Sequence, residues 1–399
     1  MKKFLTFLII FICTASAFCG DSYAHRAATK HAVNLLKFKN TENLIKRYCL
    51  YPDLYYGKNK DKIEPYLFMD GDVSFHDIPA SSITELYQFW IPGKNGQLHR
   101  SRKYTNASYL FTEKCFRFYL KNIRKAIDEK RIDDVMQFTG CLIHHMQDAT
   151  FGLHALEGAS GADVYTLNKL SGMDFMLFIA NLRPKNDWLN ISAEPNYLGD
   201  TVEEAVMRLC SQYVKYNKQS CNALFALVAN KISKNDEKVF EENTKKIYLT
   251  SLYGTLDVLF TVQSWLENRK LEQTSLPLSD LTPYEPPVSG YGEYRFKMLQ
   301  CRENELEFGV HFEQNLTYHI AENIFTDFTA ELVAKNINNV TVNIVNDNKI
   351  IDTFTLSGNE SKQIKITDPH GVFGFRTKSA APAGGLIIKQ GKFNRKDQK

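Results

Sequence analysis

Beyond its first twenty positions the chain has no second long apolar stretch; crossing a bilayer as a helix takes about 20 such residues. It also has no CxxC pair. The eight cysteines stand at 13, 19, 49, 115, 141, 210, 221 and 301, a spacing that argues against a structural zinc knuckle. No internal repeat is visible, which sets aside repeat architectures. Nor is there a large excess of charge of one sign. The 49 basic and 45 acidic residues leave a formal net charge of +4, without the dense basic patch expected of a nucleic-acid partner. Hydrophobic and aromatic residues are plentiful at 44% and 13%, enough to build real cores and to exclude general disorder.

At the N-terminus, Lys2 and Lys3 precede an apolar run from Phe4 to Cys13, followed by Thr14-Ala15-Ser16-Ala17. A short positive region, about ten apolar residues and an Ala-x-Ala ending describe a secretory signal peptide. Cleavage after Ala17 would leave Phe18 first, and cleavage after Cys19 would leave Gly20. The mature chain is therefore expected to be soluble and secreted, to the periplasm or the extracellular space. In such a compartment Cys210 and Cys221 could close a short loop, and Cys49, Cys115 and Cys141 could pair. Buried free thiols are the other reading.

The remaining length suggests two or three domains at about 150 residues each. From about Tyr23 to Arg269 apolar residues recur at helical spacing, as in Phe116, Tyr119, Ile123 and Ile127. Asp133-Asp134 predict the start of a helix running to about Asp148, and a long helix fits Glu241 to Glu267. The stretch 272–292 is rich in Pro, Ser and Gly and reads as a linker. Beyond it lie short alternating runs at 306–310, 330–334, 340–344 and 352–356, the pattern of a small antiparallel sandwich. The expected organisation is a signal peptide at 1–17, a helical domain at 18–271, a linker at 272–292 and a β-sandwich at 293–399.

The most informative stretch runs from Leu142 to His154. His144 and Asp148 are four residues apart, so on a helix they stack on one face and can reach one metal ion. Gly152 then breaks the helix before His154. An imidazole and a carboxylate together suit zinc, which accepts nitrogen and oxygen ligands. His145 and His31 point to other faces and read as packing or surface residues.

These pieces resemble the bacterial zinc-dependent phospholipases C, relatives of the S1/P1-type nucleases. That family has HxxxD followed six residues later by a histidine, matched by His144, Asp148 and His154. It has a histidine opening the first helix, matched by His25, and a Tyr-Pro-Asp turn, matched by Tyr51-Pro52-Asp53. A further histidine follows that turn, for which His76 is the candidate, with Asp70, Asp72 and Asp77 close by. The resemblance covers about 18 to 270. It implies one zinc on Asp53, His76, His144 and Asp148. A second would sit on His25, the amino and carbonyl groups of the first mature residue, and Asp148 as a bridge. Asp53 is implied as the catalytic residue that orients or deprotonates the attacking water.

The family's third zinc uses the histidine matching His154, another histidine and a glutamate. Here Ser160 and Thr166 stand about where the latter two should be, with Glu157 and Asp163 as substitutes. The implied function is hydrolysis of the phosphodiester of phosphatidylcholine or a related lipid to diacylglycerol and a phosphorylated head group. The partner would be a phospholipid membrane surface, met through the β-domain; no nucleic acid is expected, and no protein partner can be inferred. Two other readings are an S1/P1-like nuclease and a non-catalytic descendant acting as a binding module. Neutral hydroxyls are poor zinc ligands, since they neither carry charge nor deprotonate readily. Elemental analysis of dialysed protein should therefore give about two zincs, unchanged by His154→Ala; three tightly held zincs would point to Glu157 or Asp163 as a replacement ligand.

Overall fold

The structure is a computed structural model that describes residues 23–56, 63–68, 90–92, 98–100, 106–151, 168–169, 171–192, 194–283, 297–299, 309–312, 315–335, 337–379, 381 and 385–396. A helical region is followed by antiparallel sheets, as the periodicities predict. The main helices are α1 (Tyr23–Leu36), α2 (Tyr51–Tyr56), α3 (Asn106–Asp128), α4 (Ile132–Thr150), α5 (Val202–Ser233) and α6 (Glu237–Leu266). No helix among the described residues is long and apolar enough to cross a membrane.

α4 starts where the acidic pair predicts, with Asp133 and Asp134 in its first turn complementing the helix dipole. Asp133 also accepts a hydrogen bond from the Tyr48 hydroxyl at 2.6 Å, and Asp134 pairs with Arg131. α5 and α6 open with side-chain caps: Thr201 accepts from the Glu204 amide, and Asp236 accepts from those of Lys238 and Val239. On α1, Ala24, Ala28 and Ala32 are completely buried. Their i, i+4, i+8 spacing forms a stripe of small side chains that lets α1 approach its neighbours closely. The apolar core of this region gathers Phe116, Leu142, Met146, Tyr213, Leu256 and Trp265, among others.

The C-terminal part has two antiparallel sheets. After the small hairpin β1 (Trp90–Pro92) and β2 (Leu98–Arg100), the strands are β3 (Ser275–Pro277), β4 (Lys297–Leu299), β5 (Gly309–Phe312), β6 (Asn315–Ile320), β7 (Phe325–Ala334), β8 (Ile337–Asn346), β9 (Lys349–Gly358), β10 (Ser361–Thr367), β11 (Gly371–Thr377) and β12 (Leu386–Arg395). One sheet runs β10-β7-β12-β5-β4 with β3 also on β12, and the other runs β6-β11-β8-β9. Phe312, Phe328, Phe373, Phe375 and Phe393 fill the space between them. The β8–β9 connection is tight: Asp347 and Asn348 both have left-handed φ, 48° and 60°, as a two-residue hairpin turn of type I′ requires.

The alternating runs at 330–334, 340–344 and 352–356 lie inside β7, β8 and β9, while β5 overlaps only the end of the run at 306–310. One expectation is corrected. Ser275–Pro277, inside the stretch read as a linker, pair with Lys392–Asn394 of β12. Prolines and absent periodicity mark an edge strand as readily as a linker, because a proline costs an edge strand no ladder hydrogen bond. Among the described residues the cysteines resolve toward the thiol reading: Cys49, Cys141 and Cys210 are buried free thiols, and Cys115 is buried as well. Cys210 and Cys221 both lie on helix α5, where Cys210 is a free thiol.

The last strand reaches back to the helical region. The Arg395 guanidinium lies 2.7 Å from Glu204 and 3.2 Å from Asp200, with all three side chains buried. Arg208 shares Glu204 at 2.9 Å, and the Leu271 amide donates to Asp200. Nearby, His319 of β6 lies 3.1 Å from Glu113 of α3, and Thr282 donates to the Ser211 carbonyl of α5. Burial alone would raise the Asp200 pKa. The Tyr197 hydroxyl, the Leu271 amide and Arg395 outweigh it and hold the carboxyl below its usual value. A depressed carboxylate contributes stability above its unfolded pKa and loses it as pH falls through the folded one. Arg395→Ala should therefore cost about 3–5 kcal/mol at neutral pH, by leaving buried carboxylates short of a partner. In denaturant titrations the difference from wild type should shrink below about pH 4, where the unfolded carboxyl protonates.

Candidate metal centre

Three segments bring the candidate ligands together. His25 comes from the first turn of α1, Asp53 from the first turn of α2, and His144 and Asp148 from successive turns of α4. The ligating atoms of His25, Asp53 and His144 lie within 4.8 Å of one another, a grouping that could hold a metal ion. Asp148 stands between the two imidazoles, with Oδ1 at 3.2 Å from His25 Nε2 and Oδ2 at 3.2 Å from His144 Nε2. Asp53 Oδ1 approaches His144 Nε2 at 3.5 Å. The two rings stack with centroids 4.1 Å apart, and Phe151 closes over His25 edge-on. His144 is fully buried, His25 and Asp148 nearly so, and Asp53 keeps 13% of its side chain exposed.

The far side of His144 is held by the backbone. Its Nδ1 donates to the Cys49 carbonyl at 2.7 Å, and a carbonyl can only accept. Nδ1 therefore carries hydrogen, and Nε2 is the atom aimed at the carboxylates, the arrangement in which an outer hydrogen bond orients a histidine ligand. This contact depends on Gly140, one helical turn before His144. A Cβ at Gly140 would lie 2.5 Å from the Tyr48 carbonyl carbon, so only glycine lets Tyr48–Leu50 come close enough to offer Cys49. His25 is held by a side chain instead, with Nδ1 2.8 Å from Gln147 Oε1.

The electrostatics follow from the crowding. Burial of the His144 ring works against its charge, but the carboxylates of Asp148 and Asp53 outweigh that and hold its pKa well above the ordinary histidine value. Asp53 is pulled the other way. Burial and the Asp148 charge raise its pKa, but His144, by charge and hydrogen bond, and His25 outweigh them and hold it below the usual value, so it remains an anion at neutral pH. Nitrogen and carboxylate donors converging in a nearly dry site, with one histidine ring fixed from behind, fit a zinc ion better than a hard cation such as calcium.

Of the six residues expected to bind metal, the structure brings four together. His76 and His154 lie outside the described residues, as do the first mature residue, Ser160, Thr166, Glu157 and Asp163. The other two helical histidines take packing positions. His145 meets the Tyr119 hydroxyl at 3.1 Å, while His31 lies between the Tyr248 hydroxyl and the Leu189 carbonyl, with burial lowering its pKa. Tyr55 stacks on buried Phe68 at 4.0 Å. Three contributors escaped the sequence reading: the Cys49 carbonyl, Gly140 and Gln147. The carbonyl leaves no trace in residue type, but a glycine and an amide on the buried face of a ligand-bearing helix are visible signals.

No protein-family model matches the chain, and no curated protein matches it. Among solved structures it is similar to the alpha toxin of Clostridium absonum, at 10% identity and a TM-score of 0.31 over 94% of this chain and 87% of that one. It is similar also to the alpha-toxin of Clostridium perfringens from the avian strain SWCP, at 9% identity and a TM-score of 0.31 over 94% of this chain and 100% of that one. Likeness at that level leaves function to be argued from the chain's own geometry.

The raised pKa of His144 has a direct consequence. Below that pKa a metal at Nε2 must displace a proton, so zinc affinity should rise with pH there, by about tenfold per unit for one proton released. Chelator competition from about pH 6 to about pH 8 measures this slope; a flat profile would mean that His144 does not take the metal.

Proposed function

We propose that this chain is an exported, zinc-dependent phosphodiesterase of the phospholipase C type, acting on phosphatidylcholine or a related phospholipid. The observation that carries the reading is the convergence of His25, Asp53, His144 and Asp148, with the Nε2 atoms of both rings aimed at the carboxylates. His144, Asp148 and Asp53 would hold one ion, joined by His76; Asp148 and His25 would hold part of a second. Zinc bound by these residues would lower the pKa of a water and polarise the phosphate ester.

The chain's own groups supply the rest. Asp53 is the carboxylate with the most solvent access of the four residues and is anionic at neutral pH, which suits it to orient a water and accept its proton. Asp148 contacts both imidazoles at 3.2 Å and sets their spacing. The buried surroundings of His144 exclude bulk water from the far side of the centre, which strengthens every charge interaction inside it.

A lipid surface as the partner is supported by the sandwich. Ile350 and Ile351, just past the β8–β9 turn, are 60% and 49% exposed, and the preceding Lys349 pairs with Asp347. Exposed isoleucines beside a charged turn at a hairpin tip suit the boundary between head groups and acyl chains. Export rests on the N-terminal leader pattern.

Purified mature protein should release the phosphorylated head group from phosphatidylcholine vesicles, lose that activity to a chelator and regain it with zinc. His144→Ala or Asp148→Ala should remove both turnover and bound zinc while leaving the helical signal in circular dichroism. Cleavage of single-stranded DNA without lipid hydrolysis would move the chain to the nuclease reading, and no turnover of either substrate would leave it a binding module.

A further inference from the structure

The contact that holds His25 from behind has a polarity that can be traced from a backbone carbonyl. The Thr255 hydroxyl donates its single hydrogen to the Ser251 carbonyl at 2.9 Å. The terminal atom of Gln147 that lies 3.0 Å from the same hydroxyl must then be the donor, so it is the amide nitrogen. Its second hydrogen reaches the Thr29 hydroxyl at 3.1 Å. The amide oxygen is left facing His25 Nδ1 at 2.8 Å, and an amide oxygen only accepts. Nδ1 must therefore carry hydrogen, so Nε2, 3.2 Å from Asp148, is the ring nitrogen that can give up its own hydrogen to the carboxylate side and offer a lone pair to a metal.

We propose that Gln147, locked by Thr255 and Thr29, is a positioning residue that fixes the tautomer and ring plane of His25 for metal binding. This inference rests on the metal-dependent reading above and assigns a role that none of the candidate ligands fills. Gln147 is completely buried and joins three helices, α1 through Thr29 and His25, its own α4, and α6 through Thr255. A side chain needed only to fill space there would be apolar. A buried amide with all three of these contacts made is costly to disturb, because each partner would lose a hydrogen bond in a dry site. The device mirrors the Cys49 carbonyl behind His144, so both imidazoles are oriented by an oxygen that accepts from Nδ1.

The test compares wild type with Gln147→Leu, Gln147→Glu, Thr255→Val and Thr255→Ser in the whole protein. It reads zinc affinity by chelator competition and the His25 tautomer by imidazole ¹⁵N shifts in the neutral ring. Gln147→Leu has similar volume and no acceptor. It should weaken zinc binding by about 10–100-fold, the usual cost of losing a ligand's outer hydrogen bond, and should release the Nδ1–H tautomer. Gln147→Glu keeps an oxygen against Nδ1 and should retain that tautomer, a rescue that packing alone would not give. Should Gln147→Leu fail to fold, the threonine pair decides: Thr255→Val should weaken zinc binding and mix the His25 tautomers, and Thr255→Ser should do neither. Wild-type zinc affinity and an unchanged tautomer in Gln147→Leu, or in Thr255→Val where that variant decides, would overturn the proposal. Wild-type protein that takes up no zinc would overturn the phosphodiesterase reading instead, and the tautomer shifts would then decide the relay alone.

Discussion

The Asp148 carboxylate, set between two stacked imidazoles in a nearly dry interior, is the arrangement on which the helical region turns. Two rings with centroids 4.1 Å apart need an anion between their Nε2 atoms, and an anion in that position needs those rings. Buried charges survive only when paired and hydrogen-bonded, so each ring must be held from its other side as well. That requirement reaches outward through Cys49 and Gly140 to the approach of Tyr48–Leu50, and through Gln147 to Thr29 and Thr255. The alanine stripe of α1 serves the same end, because His25 meets Asp148 only if α1 packs closely.

A second buried cluster determines how the β-sandwich sits. Arg395 closes on Asp200 and Glu204 at the start of α5, and β3 leaves the helical region directly into the β12 sheet. The two regions are therefore joined by ion pairs that are expensive to open, in addition to the chain between them. An exposed apolar tip on β9 is then carried in a fixed relation to the helices, which matters if a lipid surface and a metal centre must address the same molecule.

Much of the architecture was legible from pattern. Asp133-Asp134 mark the start of α4 because carboxylates are favourable at a helix N-terminus, and the alternating valines and isoleucines of β8 mark a strand with one buried face. The HxxxD spacing put His144 and Asp148 on one face because the α-helix repeats every 3.6 residues. Where pattern failed, it failed for lack of periodicity: Ser275–Pro277 is too short and too proline-rich to be told from a linker.

What the amino-acid sequence determined by itself was local: which segments are helical or extended, which residues carry nitrogen or carboxylate donors, and which of them share a turn. Those properties depend on backbone periodicity and side-chain chemistry over a few residues. What only the tertiary structure decided was which donors converge, and which ring atom each presents. His25 and Asp148 are 123 positions apart, and Thr255 lies 108 residues from the glutamine it locks. Such contacts arise from the packing of α1, α4 and α6 and from groups, like the Cys49 carbonyl, that every residue possesses. No spacing rule encodes them, because their information lies in the close approach of helices and in where each buried hydrogen can go.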